Sequence, residues 1–551
     1  FGPQYALYFA YLRTYSLWLW PPAILGALLF IVQESVYGGQ ENVWGAFFCL
    51  LLIAWAAGFA QAWRRREAGL REQWGLPKAV PEIERPGFNG GRAAGLSGAF
   101  AAGFYTENDQ FVPVDPAAVL EGADVPVAPA MSNFERKLRL IFSWAIILLA
   151  MGLTVTTQLA LLLFRSVAQQ LVDPAWLGGL AAAVACAVVV EGMQLWMTPM
   201  VGALVHFQRH RSYGVHEGHH AAQLFALSFV NRFFSPFYLA VLKKVQMPQR
   251  FLFIYEDVQT AATTAVGQGD TGLTLEAFEE TCRDRSGNPS DDCMEELFTQ
   301  ILALVVVNAL LQNAVEYAGV AFAACCRRVT RGGTRVASEA ALAAADGTHL
   351  AHNLFELSMS FAMVALFAGA CPLVGLVALL NNAIEGRCDA FLHLRCLQRP
   401  MPRRVGGFGA WNSILTMIAY LGILTNSILL CHTSTALPKL FLASTSAYLS
   451  DAGGSRFVLL LLIEHAFLAL KLLVDLLIPD VEEGYVARLA SQRKLLALAV
   501  DARARRAGWK AAPPPPPPPA SGPVVVDADD DEDAPPPPPL IKGGVSVMSD
   551  L

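Results

Sequence analysis

The chain has 551 residues, of which 54% are hydrophobic and 16% are charged, and its formal net charge is −6. Soluble domains carry about 25% charged residues, so this composition indicates a protein that crosses a membrane several times. Much of the negative charge lies in one acidic run, 527–533, and no basic surface for nucleic acid is expected. The chain starts at Phe1, so we expect it to lack an N-terminal region of the full protein.

Ten stretches are apolar over the length that a membrane-spanning helix needs, which is about 20 residues. The sequence therefore predicts an all-α polytopic membrane protein with ten transmembrane helices. In chain order the predicted spans are Tyr15–Val32, Trp44–Trp63, Leu138–Phe164, Trp176–Val205, Leu224–Leu242, Leu297–Ala321, Leu354–Ala370, Leu373–Leu392, Trp411–Cys431 and Phe457–Ile478.

Two other stretches have compositions that are typical of disorder. The loop at about 67–135 is rich in Gly, Ala and Pro and is predicted to be partly disordered and cytosolic. The tail, 501–551, combines the proline runs 513–519 and 535–539 with the acidic run and cannot bury a core. We therefore predict a transmembrane domain over 1–500 and a disordered tail after it.

Basic residues set the predicted orientation. They cluster in the connections that follow the even-numbered spans, as in 64–66 and 327–328, and are sparse in 33–42, 166–174 and 432–455. The positive-inside rule places the basic connections in the cytosol. With ten spans, both termini are then cytosolic. The host membrane is predicted to be either the plasma membrane or an endomembrane.

The eighth span carries oxygen-bearing side chains on one face. Asn381, Glu385 and Asp389 are spaced i, i+4 and i+8, so they lie along one side of a helix. A carboxylate in a membrane helix costs roughly 2.5–3.5 kcal/mol on insertion scales. Two neighbouring carboxylates also repel each other unless a cation lies between them. This pattern predicts a cation site.

The sixth and seventh spans supply further oxygens. Gln312, Asn313 and Glu316 belong to the sixth span, and Asn353 and Glu356 begin the seventh. In the predicted orientation, all of these lie at similar depth on the cytosolic side. Carboxylate and amide oxygens are hard ligands that favour Ca²⁺. Interhelical hydrogen bonding and a proton relay are the alternatives.

The segments that contain these residues resemble the anoctamins, a family of Ca²⁺-activated anion channels and phospholipid scramblases. The resemblance is carried by YFAYLRTYSLWLWPPAILG near the start, FVNRFFSPFYLAVLKK from Phe229, LLQNAVEY from Leu310, NLFEL from Asn353 and LLNNAIEGRCDA from Leu379. These motifs keep the family's order and spacing over about residues 1–499.

The resemblance implies a homodimer of ten-helix subunits. Each subunit has a groove lined by spans three to seven and holds two Ca²⁺ ions between spans six, seven and eight. With Gln312 as a weaker candidate, the ligands are Asn313, Glu316, Asn353, Glu356, Asn381, Glu385 and Asp389. The family usually has an acid where Asn353 stands, so we expect a four-acid site with weaker calcium affinity.

A further family site joins the second and tenth spans. Asp480 fits the tenth-span motif, but Gln61 stands where the second span usually has an acid. We therefore treat Asp480 as a weaker metal candidate. Separately, Cys282 and Cys293 flank one polar loop and are candidates for a disulfide if that loop is extracytosolic.

The groove is expected to pass either small anions such as chloride or the headgroups of membrane lipids. An anion pore needs fixed positive charge or donor groups, and the predicted groove spans have almost no Lys or Arg apart from Arg232, which weakens the case for strong anion selectivity. The polar groove candidates are Glu191, Gln194, Thr198, Asn231 and Asn308. We expect a Ca²⁺-activated anion channel, with Ca²⁺-dependent lipid scrambling as the alternative and membrane tethering as a third function. The sequence has neither a nucleophile elbow nor a phosphate-binding loop, so an enzyme is not expected.

Overall fold

The computed structural model describes residues 1–37, 43–76, 103–105, 111–113, 133–172, 174–210, 212–243, 282–283, 289–290, 293–329, 342, 347–399, 405–434, 452–478, 491, 494–500 and 502–503. Within these ranges the chain is almost entirely helical. Its main helices are α1 (Pro3–Trp18), α2 (Trp20–Val32), α3 (Trp44–Gln73), α4 (Asn133–Leu171), α5 (Ala175–Phe207), α6 (Tyr213–Phe237), α7 (Met294–Val329), α8 (Gly347–Phe367), α9 (Val374–Arg395), α10 (Ala410–Ile428) and α11 (Ala452–Leu477).

Short irregular elements complete the described structure. Single π-helical turns extend α2, α6 and α10 at Gln33–Tyr37, Tyr238–Leu242 and Leu429–Thr433. Strand β1 (Gly103–Tyr105) pairs antiparallel with β2 (Phe111–Pro113), and β3 (Cys282–Arg283) pairs antiparallel with β4 (Pro289–Ser290).

The prediction of an all-α polytopic membrane protein is confirmed. Nine helices in the described ranges are long and apolar enough to cross a membrane, with α1 and α2 joined as one of them. The eighth predicted span also forms a helix, α9. Every 18-residue window of α9 contains the three charged residues Glu385, Arg387 and Asp389. Each of the nine other helices has an apolar window of that length with at most two.

The chain divides into two compact units, Phe1–Glu483 and Gly484–Leu551. The first contains all eleven helices named above. In the second, the described residues include a helical run at 494–500. Most of the predicted tail and of the predicted loop falls outside the described residues, although α3 continues to Gln73. The domain boundary at residue 500 remains a prediction.

Helix α8 forms the centre of the first unit. Its side chains from Met359 to Phe367 are almost entirely buried, and Phe361 contacts the rings of Tyr15, Trp55 and Phe59. By contrast, α4 exposes large apolar side chains such as Leu149, which is 75% exposed. Exposed leucines on a helix of this length suit contact with lipid rather than water.

The backbones of α2 and of the first turn of α9 lie in close contact. A Cβ atom at Gly26 would overlap the carbonyl oxygen of Pro372, in the turn that precedes α9. At Gly375, in the first turn of α9, a Cβ atom would lie 3.1 Å from the backbone nitrogen of Ala23. Small residues let the helix backbones meet, and this contact fixes the start of the helix that carries the predicted ligands.

Candidate cation site and groove

Asp389 lies where three helices meet. Asn353 of α8 donates a hydrogen bond from Nδ2 to Asp389 Oδ2 at 2.7 Å, and the hydroxyl of Tyr8 in α1 donates to the same oxygen. Asp389 and Asn353 are each 4% exposed, and Tyr8 is fully buried. The i, i+8 position on α9 thus places a carboxylate inside the bundle rather than toward lipid.

Glu385, one turn earlier on α9, is the end of a chain of amides. Asn313 of α7 donates from Nδ2 to Asn381 Oδ1 at 2.7 Å, and Asn381 Nδ2 lies 3.3 Å from Glu385 Oε2. Two of the predicted ligands on α9 are therefore linked to one on α7. Each amide presents a donor to an oxygen of the next residue in this chain.

Glu356 of α8 completes the set of described acids. Its Oε1 lies 3.2 Å from Nδ1 of His352, one turn earlier. Gln312 of α7 is within hydrogen-bonding reach of Glu356. The direct contacts of Asp389 with Asn353 and Tyr8, and of Asn381 with Asn313, bring predicted ligands of α7, α8 and α9 close to one another beside α1.

Two predicted ligands cannot be placed. Glu316 lies on α7, one turn beyond Gln312, but its side chain is outside the described residues, as is the whole of Asp480. Among the side chains that the structure does describe, no three of the types His, Cys, Asp and Glu converge closely enough to hold a metal ion. Any site here depends on amide oxygens as well as acids.

The groove candidates form a second polar cluster, between α5, α6 and α7. Arg232 of α6 donates from one guanidinium nitrogen to Glu191 Oε1 of α5 at 2.8 Å and to Asn308 Oδ1 of α7 at 3.0 Å. The side chains of Arg232 and Glu191 are 12% and 16% exposed. The basic residue predicted for the groove is thus paired with an acid.

The remaining groove candidates also bind one another or the backbone. Gln194 of α5 donates to its neighbour Thr198 at 3.1 Å and to Ser228 of α6 at 2.9 Å. Asn231 of α6 donates to the backbone oxygen of Val190 at 2.9 Å. In this structure, therefore, these groove side chains join α5 to α6.

A sequence profile described as "Anoctamin: Calcium-activated chloride channel" matches residues 1–492, a range that includes the acids of α8 and α9 and the groove helices. The chain belongs to the anoctamin family. It is therefore an integral, multi-pass membrane protein of a family that contains channels and scramblases.

Individual anoctamins are related to this chain at low identity. It is 25% identical to Anoctamin-7 of Mus musculus, over 81% of this chain and 53% of that protein. It is 22% identical to Anoctamin-10 of Homo sapiens, over 89% of this chain and 64% of that protein. A shorter stretch, 24% of this chain, is 37% identical to Anoctamin-8 of Mus musculus. The chain spans about half the length of the first of these relatives.

The donor set of this anoctamin fits the calcium that the family description implies. Carboxylate and amide oxygens on three helices match the ligands that Ca²⁺ takes, whereas zinc would call for Cys or His. Asn313, Asn353 and Asn381 each direct an Nδ2 group at another oxygen of the cluster. Since an amide carries an oxygen beside its nitrogen, rotation of the same side chains would offer oxygens to a cation.

The contacts of three residues in this anoctamin were not predicted from the sequence. Tyr8 lies 381 positions from its partner Asp389, and no local sequence pattern indicates this contact.

Arg165 falls just after the predicted third span, but α4 continues past it. The side chain is 4% exposed and donates to Gln300 at 2.8 Å. Glu67 of α3 accepts from the backbone nitrogen of Phe408 at 2.7 Å, ahead of α10.

The two predicted disulfide partners are joined. Cys282 and Cys293 form a disulfide that ties β3 to the start of α7. Disulfides persist in oxidising compartments, which is the condition under which the sequence predicts this pair.

Replacing Tyr8 by Phe tests whether its hydroxyl orients Asp389. Groups that hold a metal ligand in place typically contribute 10–100-fold to metal affinity. We therefore expect Tyr8→Phe to weaken calcium binding roughly tenfold, measured by calorimetric titration of the detergent-solubilised protein. Tyr37→Phe, in an exposed turn, is the control. Unchanged calcium affinity in Tyr8→Phe would show that the Tyr8 hydroxyl does not orient Asp389 for calcium binding.

Replacing Asn353 by Asp adds a fifth carboxylate to the expected four-acid site. The new carboxylate would face Asp389, and two like charges in a buried site repel until a cation neutralises them. The calcium concentration for half-maximal response is expected to fall at least about tenfold, measured as permeation across a calcium series. A response that coincides with that of the unaltered protein would contradict this assignment of Asn353.

Proposed function

We propose that this anoctamin is a Ca²⁺-activated anion channel whose control site lies between α7, α8 and α9. One observation carries the proposal. Asn353 of α8 is hydrogen-bonded to Asp389 of α9, while Asn313 of α7 is hydrogen-bonded through Asn381 to Glu385. Acids gathered inside a membrane bundle are typical of ion sites.

The number of carboxylates at the site supports binding of up to two calcium ions per subunit. Glu316, Glu356, Glu385 and Asp389 together would carry four negative charges when ionised, which two Ca²⁺ ions neutralise. Calcium when bound supplies positive charge that lets these carboxylates approach one another. The chain's own residues do the rest: Tyr8 and Asn353 hold Asp389, and Asn381 holds Glu385.

We further propose that calcium reaches the site from the cytosol. The Arg-rich connections after α7 and α9 place these helix ends inside by the positive-inside rule. The same rule puts both termini in the cytosol. A homodimer, with one groove in each subunit, is proposed from family membership.

Lipid scrambling is the second candidate, and the groove provides its support. Arg232 is neutralised by Glu191, which leaves little free positive charge to attract anions. The amide of Gln194 and the hydroxyls of Thr198 and Ser228 form a polar row along α5 and α6. Such groups suit a zwitterionic headgroup as well as a small anion.

Neutralising two acids of α9 tests the calcium site. Glu385→Gln with Asp389→Asn keeps the shape of both side chains but removes their charges. We expect the calcium concentration for half-maximal permeation to rise at least about 100-fold, in vesicles reconstituted with the purified protein. Glu464→Gln on α11, an acid far along the sequence from this cluster, should leave the response unchanged.

Both permeants can be measured in the same vesicles. Chloride efflux reports the channel, and quenching of a fluorescent lipid in the outer leaflet reports scrambling. Calcium-dependent efflux without loss of leaflet asymmetry would support the channel. Scrambling without ion selectivity would replace the channel by the alternative. If neither activity depends on calcium, the proposed function is wrong.

A further inference from the structure

Arg232 connects three helices of the groove through a single nitrogen atom. That nitrogen donates to Glu191 of α5 and to Asn308 of α7, while Arg232 itself belongs to α6. Two neighbouring hydrogen bonds join only α5 and α6. One links Gln194 to Ser228, and the other links Asn231 to the backbone oxygen of Val190. The bond to Asn308 is therefore the point at which this polar cluster extends to α7.

The strength of this connection follows from its surroundings. The side chains of Arg232 and Glu191 are mostly buried, and hydrogen bonds that involve a charged group in such places are stronger than neutral ones. Moving α7 away would take the amide oxygen of Asn308 from the guanidinium. Arg232 would keep its ion pair with Glu191 but lose its hydrogen bond to Asn308.

Helix α7 also reaches the candidate cation site. Asn313, five residues after Asn308 on α7, donates a hydrogen bond to Asn381 of α9 at 2.7 Å. A movement of α7 therefore changes its contact with Arg232 and its contact with the predicted calcium ligands together.

We propose that Arg232 is a positioning residue: through Asn308 it holds α7 against α5 and α6, and α7 must leave this contact before the groove opens. This inference rests on the proposed function, because it assumes that permeation follows the movement of α7. Helix α7 thereby links two groups of residues, the candidate cation site and the polar groove, that the sequence presents as separate.

The most direct variant is Asn308→Ala, which breaks the link to α7 without changing any charge. We expect it to lower the calcium concentration for half-maximal permeation about tenfold, the effect of losing one hydrogen bond to a charged group. Asn412→Ala is the matched control, since it removes an amide that binds a charged partner, Glu67, between α10 and α3 and outside the groove. It should shift the response by no more than about twofold.

Calcium binding provides a readout that is separate from permeation. If release of α7 and binding of calcium are coupled, a variant that releases α7 must bind calcium more tightly by the same factor. Titration calorimetry on detergent-solubilised protein should therefore show tighter calcium binding in Asn308→Ala than in Asn412→Ala. Asn308→Ser, which shortens the side chain beyond reach of Arg232, serves if the alanine variant does not fold.

A double variant separates a direct link from two independent effects. If Asn308 acts through Arg232, adding Asn308→Ala to Arg232→Gln changes the response no further, whereas independent effects multiply. Multiplying effects, or a binding shift in Asn308→Ala no larger than in the control, would overturn the inference. Failure of the proposed function looks different: the unaltered protein would show no calcium-dependent permeation, and the binding comparison would still decide the role of Arg232.

Discussion

The burial of carboxylates inside a membrane bundle is the constraint on which the rest of the structure depends. Glu385 and Asp389 are 3% and 4% exposed, and an isolated charge in such a place is strongly unfavourable. The chain meets this constraint with donors from other helices. Tyr8 and Asn353 reach Asp389, and Asn381 reaches Glu385. These donors stabilise the carboxylates while the oxygens remain available as hard ligands.

The groove obeys the same rule with different chemistry. Polar groups in a hydrocarbon environment must find partners within the protein, and several of those on α5, α6 and α7 bind one another. Arg232 and Glu191 neutralise each other, and Gln194 binds hydroxyls on either side. Under the proposed function, passage of an ion or headgroup between these helices would require that some of these pairs separate.

Much of the fold could be predicted from the sequence because its causes are local. Apolar length marks the spans, and the i, i+4, i+8 spacing of oxygens on α9 marks the face that turns inward. Nine spans and α9 follow from these two patterns. The ends of the helices were less predictable, since α3 and α4 continue past their apolar stretches. The predicted boundary at Phe164 left Arg165 outside the third span.

Partners across long separations could not be predicted, because a single residue's local sequence does not state what it will touch. Tyr8 belongs to an aromatic stretch that is equally suited to packing, yet its hydroxyl binds Asp389. Arg232 was visible as a basic residue in an apolar span, but its pairing with Glu191 depends on how α5 and α6 lie together. Such choices arise from tertiary packing, which the family resemblance indicates only in outline.

Imaging the protein with and without calcium tests the central claim most directly. Cryo-electron microscopy of the same preparation in calcium and in a chelator would show whether density appears beside Glu385 and Asp389. We predict ion density there in calcium alone, with the amide oxygens of Asn381 and Asn353 turned toward it. Identical maps in both conditions, with Tyr8 and Asn353 still bound to Asp389 and no added density, would contradict the account.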